Sequence, residues 1–348
     1  MTSTDLSHFT ENQSKDEKKE ASEEDKLGEE FKELILSLPK EKGWITPYVY
    51  LFQGFWFPSH IIQPVITFQN HFQAKDSDVV VATLPKSGTT WLKALTFAIV
   101  NRHNFPSLEN HPLLAYNPHH LVPFFELSVY GEAYDKTPDL SNMNEPRLFG
   151  THIPFTSLAK SIKDSKCKII YICRNPFDNL VSHWVFLNKT KPESFPTITL
   201  DEAFERFCKG TIGFGPFGSH VLGYWKESIA RPDKVLFLKY EDLKEDVNFH
   251  VKRVAEFLGC PFTQDEVSSG VVENIVKLCS FEKMKELEVN KSGAVGKNVE
   301  NKHFFRKGEV GDWVNYIPPS MVKKLSKIIE ENLSGSGLSF KDNFPMVI

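Results

Sequence analysis

Asp78–Arg102 reads DVVVATLPKSGTTWLKALTFAIVNR, and the order of residue types in it decides the fold. Val79–Val81 are three β-branched residues in a row, which suits a buried parallel strand. Pro85-Lys86-Ser87-Gly88 then makes a tight turn. Thr89-Thr90-Trp91 opens a helix whose apolar positions Leu92, Leu95, Ala98 and Ile99 recur at helical spacing. A strand, a glycine-containing turn and a helix N-terminus form an anion site together. The first helical N–H groups lack internal partners, and the helix dipole favours negative charge there. Lys86 adds a full positive charge, and the hydroxyls of Ser87, Thr89 and Thr90 add donors. The segment therefore reads as a cradle for a phosphate or a sulfate. It is not the nucleotide-binding G-x-x-x-x-G-K-[ST] loop, because it has a single Gly and its Lys comes before that Gly.

Outward from this segment, strands and helices alternate. Residues 167–174 (CKIIYICR) read as a buried strand, and 176–187 as a helix with Pro at its first turn. Residues 200–210 and 220–229 read as helices, the first closed by Gly210. Residues 234–240 form a third strand, followed by an acidic helix start at Glu241-Asp242. Amphipathic helices are expected at 247–259 and 320–333. The alternation predicts an α/β fold with a central parallel β-sheet flanked by helices and a P-loop-like anion loop; the length allows one large domain or two small ones, and a single domain is expected. Order is expected to begin near Glu29, with a short helix ending before Pro39. Residues 1–27 are polar and are expected to be a disordered tail, leaving 28–348 as the domain. Residues 285–315 are polar and Gly-bearing, and are expected to be a long functional or mobile loop.

Composition bounds the possibilities. At 348 residues, 41% apolar and 25% charged, the chain matches a soluble globular protein, and its net charge of −4 gives no case for nucleic acid as the main partner. The 29 Phe suggest a Phe-rich core or an aromatic-lined pocket. The five Cys (Cys167, Cys173, Cys208, Cys260, Cys279) are odd in number and lack C-x-x-C spacing, which fits reduced thiols in the cytoplasm. No apolar leader, Arg-rich transit peptide, membrane-length apolar run or prenylation box is read, so no membrane partner is expected.

Several other residues are candidates for chemistry. Arg174 stands at the C-terminal end of its strand, where ligands of open α/β sheets bind. It suits bidentate contact with phosphate, or a salt bridge to Asp178. Ser182 lies on one face of the following helix. Tyr240 ends the third strand, and Glu241-Asp242 can be simply a dipole-compensated helix start. His152, kept out of helix by Pro154, reads as a general base near neutral pH or as a satisfied structural histidine. His119-His120 reads as structural or pocket-lining. Arg306-Lys307-Gly308 offers a second place to hold an anion. Gly213–Gly218 matches G-x-G-x-x-G formally, but it follows a helix and contains Pro216, so it reads as a turn beside an apolar pocket. No residue cluster has metal-ligand spacing, and none forms a Ser-hydrolase triad.

Taken together, LPKSGTTWLKAL (84–95), THIPF (151–155), CRNPFDNLVSHW (173–184), FLKYEDL (237–243), CSFE (279–282) and FRKGEVGDWVNY (305–316) resemble the cytosolic sulfotransferases, the plant soluble group in particular. YLFQGFW (50–56), FQNHFQ (68–73) and NPHHLVPFFE (117–126) are most similar to plant enzymes acting on hydroxyjasmonates. Flavonol and brassinosteroid enzymes of the group share many of these segments. The resemblance implies 3′-phosphoadenosine 5′-phosphosulfate as donor, a small hydroxylated molecule as acceptor, and no metal. It implies that Lys86, Ser87, Gly88, Thr89, Thr90 and Trp91 hold the 5′-phosphosulfate. Arg174, Ser182, Arg306, Lys307 and Gly308 would hold the 3′-phosphate, and Tyr240, Ser280 and Trp91 would surround the adenine. His152 would take the acceptor proton, and Lys86 would meet the charge developing on the bridging oxygen. Where the family often has Thr before Ser280, this chain has Cys279, which removes one side-chain oxygen. The dimer motif of the animal enzymes is not evident, which implies a monomer or weak dimer. Two other classes stay open from the residues alone: a P-loop kinase of unusual spacing, using Mg²⁺, and a non-catalytic anion-binding protein of this fold.

Overall fold

The computed structural model describes residues 28–131, 137–296 and 299–341. The expected tail, 1–27, lies outside the described residues. A parallel four-stranded sheet forms the centre. Its strands are β4 (Val79–Thr83), β5 (Leu148–Thr151), β6 (Lys168–Cys173) and β7 (Val235–Lys239), in the order β5-β4-β6-β7. All three pairings are parallel, with Val81 opposite both Gly150 and Ile170.

Side chains alternate across the sheet as a period of two demands. Val80, Ala82, Ile169, Tyr171, Val235 and Phe237 face one core. Val79, Val81, Ile170, Ile172, Leu236 and Leu238 face the other. Both faces are apolar, so both are covered, as parallel sheets require. The helices Pro176–Thr190, Phe217–Ala230 and Pro319–Leu333 contribute to the first core. Thr89–Val100, Val247–Phe257 and Val271–Leu278 contribute to the second. Much of the Phe content is core, with Phe125 stacked between Phe68 (4.5 Å) and Phe149 (4.6 Å).

Three features differ from expectation. An antiparallel three-stranded sheet, β1 (Lys40–Lys42), β2 (Tyr48–Phe52) and β3 (Phe55–Pro58), precedes the parallel one. Its tight turn places Gln53 (φ 51°) and Gly54 (φ 82°) in the left-handed region, as a twisted hairpin needs. The helix expected from 220 starts at Phe217, inside the glycine-rich stretch, directly after a cis Gly215-Pro216 bond. Residues 285–315 are not one long loop. They contain the end of a helix Phe281–Glu286, a short helix Glu288–Lys291, and 3-10 turns at Asn301–Phe304 and Asp312–Asn315. Ion pairs and aromatic contacts tie the last part of this segment down, and a polar composition does not reveal them.

Candidate functional site

The loop after β4 has the expected shape. Lys86 (φ 68°) and Gly88 (φ 103°) both take left-handed conformations, and the helix starts at Thr89. Gly88 is required twice over. Its φ disfavours any side chain, and a Cβ there would come within 2.7 Å of Tyr240 Cδ2. The helix Pro176–Thr190 braces the loop. Asn179 Nδ2 donates to Pro85 O (2.8 Å) and to the buried Ser87 Oγ (3.1 Å). Asn179 belongs to no motif, but its place one turn into a helix that starts at the adjacent strand's end is a usable signal.

Positive charge gathers at this loop. Burial, then the charges of Arg174 and Arg306, hold the Lys86 ammonium down to about 7. The rings of Phe186 (3.7 Å from Nζ to the centroid) and Phe304 (5.8 Å) flank it. Lys86, Ser182 and Arg306 line one small cleft, whose remaining cations are Lys189 and Lys302. Arg174 lies over the Tyr240 ring at 4.7 Å and donates from Nη2 to Glu309 O at 2.6 Å. Its Nε is buried without a hydrogen-bond partner among the described residues. The ion pair with Asp178 is present but long, at 3.8 Å. Asp178 has other work: Oδ2 accepts from Gly311 N (2.7 Å) and Oδ1 from Trp313 N (3.2 Å), which fastens the C-terminal segment to the helix Pro176–Thr190.

The remaining predicted residues are arranged less uniformly. Tyr240 meets Trp91 edge to face (5.6 Å), and its hydroxyl donates to Gly308 O (3.0 Å). Arg306 and Lys307 both turn to Asp312, at 2.5 and 2.6 Å. Ser280 Oγ accepts from Lys283 N and so caps the helix Phe281–Glu286.

His152 is bound more fully than a lone histidine suggests. Nδ1 lies 2.8 Å from Thr83 O and 3.1 Å from Thr83 Oγ1, and that hydroxyl is 2.7 Å from Thr89 Oγ1. A carbonyl oxygen can only accept, so Nδ1 carries the proton and Nε2 keeps its lone pair. Burial pushes the imidazole down to about 3, against the pull of the Thr83 bond, so the ring stays neutral. The backbone is pinned at both ends: Glu126 Oε1 accepts its N–H (2.6 Å), and His220 Nε2 donates to its carbonyl (2.9 Å). Phe124 (4.6 Å) and Phe214 (5.4 Å) flank the ring. Phe214 is in turn held by β3, through Phe214 N to Trp56 O and Trp56 N to Gly215 O. Neither Glu126 nor His220 was legible, since each acts from a distant part of the chain. Of the histidine pair, His119 is buried, with Nε2 3.0 Å from Thr90 Oγ1, whereas His120 is exposed.

Fold and site thus define a parallel α/β protein with a cationic cradle at its strand ends and an oriented, neutral histidine next to it. The sulfotransferase domain signature matches residues 76–337. Cytosolic sulfotransferase 15 of Arabidopsis thaliana is 55% identical over 92% of this chain and 90% of its own length. Cytosolic sulfotransferase 14 of the same plant is 53% identical over 94% and 95%. Among solved structures, an Arabidopsis thaliana putative steroid sulphotransferase superposes with a TM-score of 0.70 at 45% identity, covering 88% of this chain and 94% of that one. A mouse sulfotransferase complexed with PAP gives 0.64 at 25% identity, covering 83% and 95%. The chain belongs to the sulfotransferase family.

Proposed function

We propose that this protein transfers the sulfuryl group of 3′-phosphoadenosine 5′-phosphosulfate to a hydroxyl of a small plant metabolite, with a hydroxyjasmonate as the leading acceptor. The observation that carries the reading is the pairing of an oriented His152, Nε2 lone pair free, with a loop where Lys86, Arg174 and Arg306 crowd together. Cationic side chains gathered this closely call for an anion. The Arg174 Nε, without a hydrogen-bond partner among the described residues, fits a polyanionic nucleotide.

The chemistry follows from these groups. The acceptor oxygen attacks sulfur while the bond from sulfur to the bridging phosphate oxygen breaks. The hydroxyl proton becomes acidic as the new S–O bond forms and passes to His152 Nε2. Negative charge in the cradle raises the histidine's proton affinity at that moment. Lys86 and the Ser87–Trp91 N–H groups and hydroxyls stabilise the leaving phosphate, which gains charge only in the transition state. Arg174, Ser182, Arg306, Lys307 and Gly308 are assigned to the 3′-phosphate, and Trp91, Tyr240 and Ser280 to the adenine. Ser280 serves there with its backbone, since its hydroxyl caps a helix. The transferred group carries one negative charge, and the cradle's own cations suffice to meet it without a metal.

Phe124 and Phe214 beside His152 support an acceptor with an apolar body and one reactive hydroxyl. The choice of hydroxyjasmonate rests on the segments 50–56, 68–73 and 117–126. The relatives' names and the free cysteines support a cytosolic setting and a monomer or weak dimer is proposed. The test is transfer of labelled sulfate from the donor to a panel of hydroxyjasmonate, flavonol and brassinosteroid acceptors. Labelled hydroxyjasmonate sulfate is expected. Preference for another acceptor would reassign the substrate, and no transfer to any of them would overturn the reading.

A further inference from the structure

Lys93 lies on the helix Thr89–Val100, yet its side chain is fully buried. Nζ sits 3.1 Å from the centroid of the Phe124 ring and 3.3 Å from His119 Nδ1. The space for the stem exists because β5 carries glycine at 150: a Cβ there would lie 2.3 Å from Lys93 Cε. Burying an ammonium is costly unless something compensates it. Here burial pulls the Lys93 ammonium well below its usual range, against the opposing charge of Glu126, and the ring face of Phe124 lies against Nζ. A leucine or methionine would fill this position at less cost, so packing alone does not account for a lysine.

The chain of contacts continues from His119. Its Nε2 is 3.0 Å from Thr90 Oγ1, in the first turn of the helix that closes the cradle. Phe124 (5.2 Å) and Phe304 (4.5 Å) hold the imidazole, and Asn117 Oδ1 accepts the His119 N–H. With Lys93 Nζ as the donor of the 3.3 Å contact, His119 Nδ1 accepts and the ring proton stands on Nε2. Nε2–H then donates to Thr90 Oγ1, which leaves the threonine's own proton free for an anion.

We propose that Lys93 is a positioning residue for sulfuryl transfer: by donating to His119 Nδ1 it sets the His119 tautomer, and so turns the Thr90 hydroxyl into a donor toward the anion in the cradle. The proposal rests on reading that cradle as the donor's anion site. Without the lysine, His119 is free to adopt the other tautomer, and Thr90 then spends its proton on Nε2.

The test is made on the full chain. In ¹⁵N-histidine spectra of the wild type, with His119 assigned by its loss in His119→Gln, the proton is expected on Nε2. In Lys93→Met it is expected to move wholly or partly to Nδ1. The same variant is expected to lower kcat by roughly a hundredfold, as loss of one preorganised donor does. Its affinity for adenosine 3′,5′-bisphosphate is expected to change less than about threefold, since that ligand lacks the sulfuryl group. Lys93→Gln, whose amide can still donate to Nδ1, should recover part of the rate. A wild-type His119 protonated on Nδ1, or a Lys93→Met enzyme with wild-type kcat, overturns the proposal. Failure of the wild type to transfer sulfate to any acceptor would instead count against the donor reading, and the tautomer measurement would still decide the relay.

Discussion

Asp178→Asn tests how the C-terminal segment is held over the cradle. The carboxylate accepts two backbone N–H groups, from Gly311 at 2.7 Å and Trp313 at 3.2 Å, and it is fully buried. Asparagine is nearly the same size but keeps one acceptor and turns the other into a donor facing an N–H. A hydrogen bond to a charged group contributes about 1.5–3 kcal/mol, so losing one and weakening the other should cost about 2–3 kcal/mol. The loss falls on a segment that can open without unfolding the sheet, so it should appear as local opening. Hydrogen exchange at residues 309–314 should speed up by roughly thirty- to a hundredfold, while β4 and β6 amides stay protected. Donor KM should rise as well, because the same segment carries Arg306 and braces Arg174 through Glu309 O. Unchanged exchange at 309–314 would refute the reasoning, since the carboxylate would then not be what holds the segment.

His152→Ala should abolish turnover and leave binding of adenosine 3′,5′-bisphosphate intact; a variant keeping more than a few per cent of the rate, by roughly the hundredfold or greater effect of a general base, would remove His152 from that role. Lys86→Ala should reduce kcat more than it weakens donor binding, and equal losses in both would count against its action in the transition state. Stability should fall on acidification. Burial holds His152 and His183 down to about 3, and His111 and His220 to about 4, with His119 also well below its usual value. The unfolded chain therefore binds more protons as pH drops below about 6.5, and stability present above that pH is lost as pH falls through about 4 for His111 and His220 and about 3 for His152 and His183, at up to about 1.4 kcal/mol per unit for each histidine. Glu126, raised to about 7 by burial, pulls the other way: its contribution is present below its unfolded value and lost as pH rises toward 7. Urea midpoints at pH 7 and pH 5 measure the balance, and equal midpoints would contradict it.

The parts of the fold legible in the sequence were those with local signals. β4, β6 and β7 announce themselves by β-branched and apolar runs, and the helix at Thr89 by its period and the preceding Gly88. The cradle was legible for the same reason: Lys86 through Trp91 are contiguous. The hairpin at 48–58 was missed because Gln53-Gly54 is a less familiar turn pair than Asn-Gly, although the aromatic runs on either side of it were readable. What could not be read is the contact between distant segments. No local signal marks Lys93 as buried, because the room for it comes from Gly150 on another strand. Asp178 looked like a partner for Arg174, and Glu126 like nothing in particular, until folding brought them to the backbone of residues 311–313 and 152.

The Asp178 clasp also bears on the order in which the two sides of the site are built. The carboxylate waits for amides 133 and 135 positions further along the chain. During synthesis, the first strands and their helices emerge well before residues 311–313 leave the ribosome. Until then Asp178 carries its charge toward a surface with no backbone to receive it, and Arg174 lacks Glu309. A nascent or truncated chain therefore has its phosphate-loop side built and its other wall missing. Translation through residues 309–313 supplies that wall and gives the carboxylate its two amides in one step, so this side of the site is built after the other.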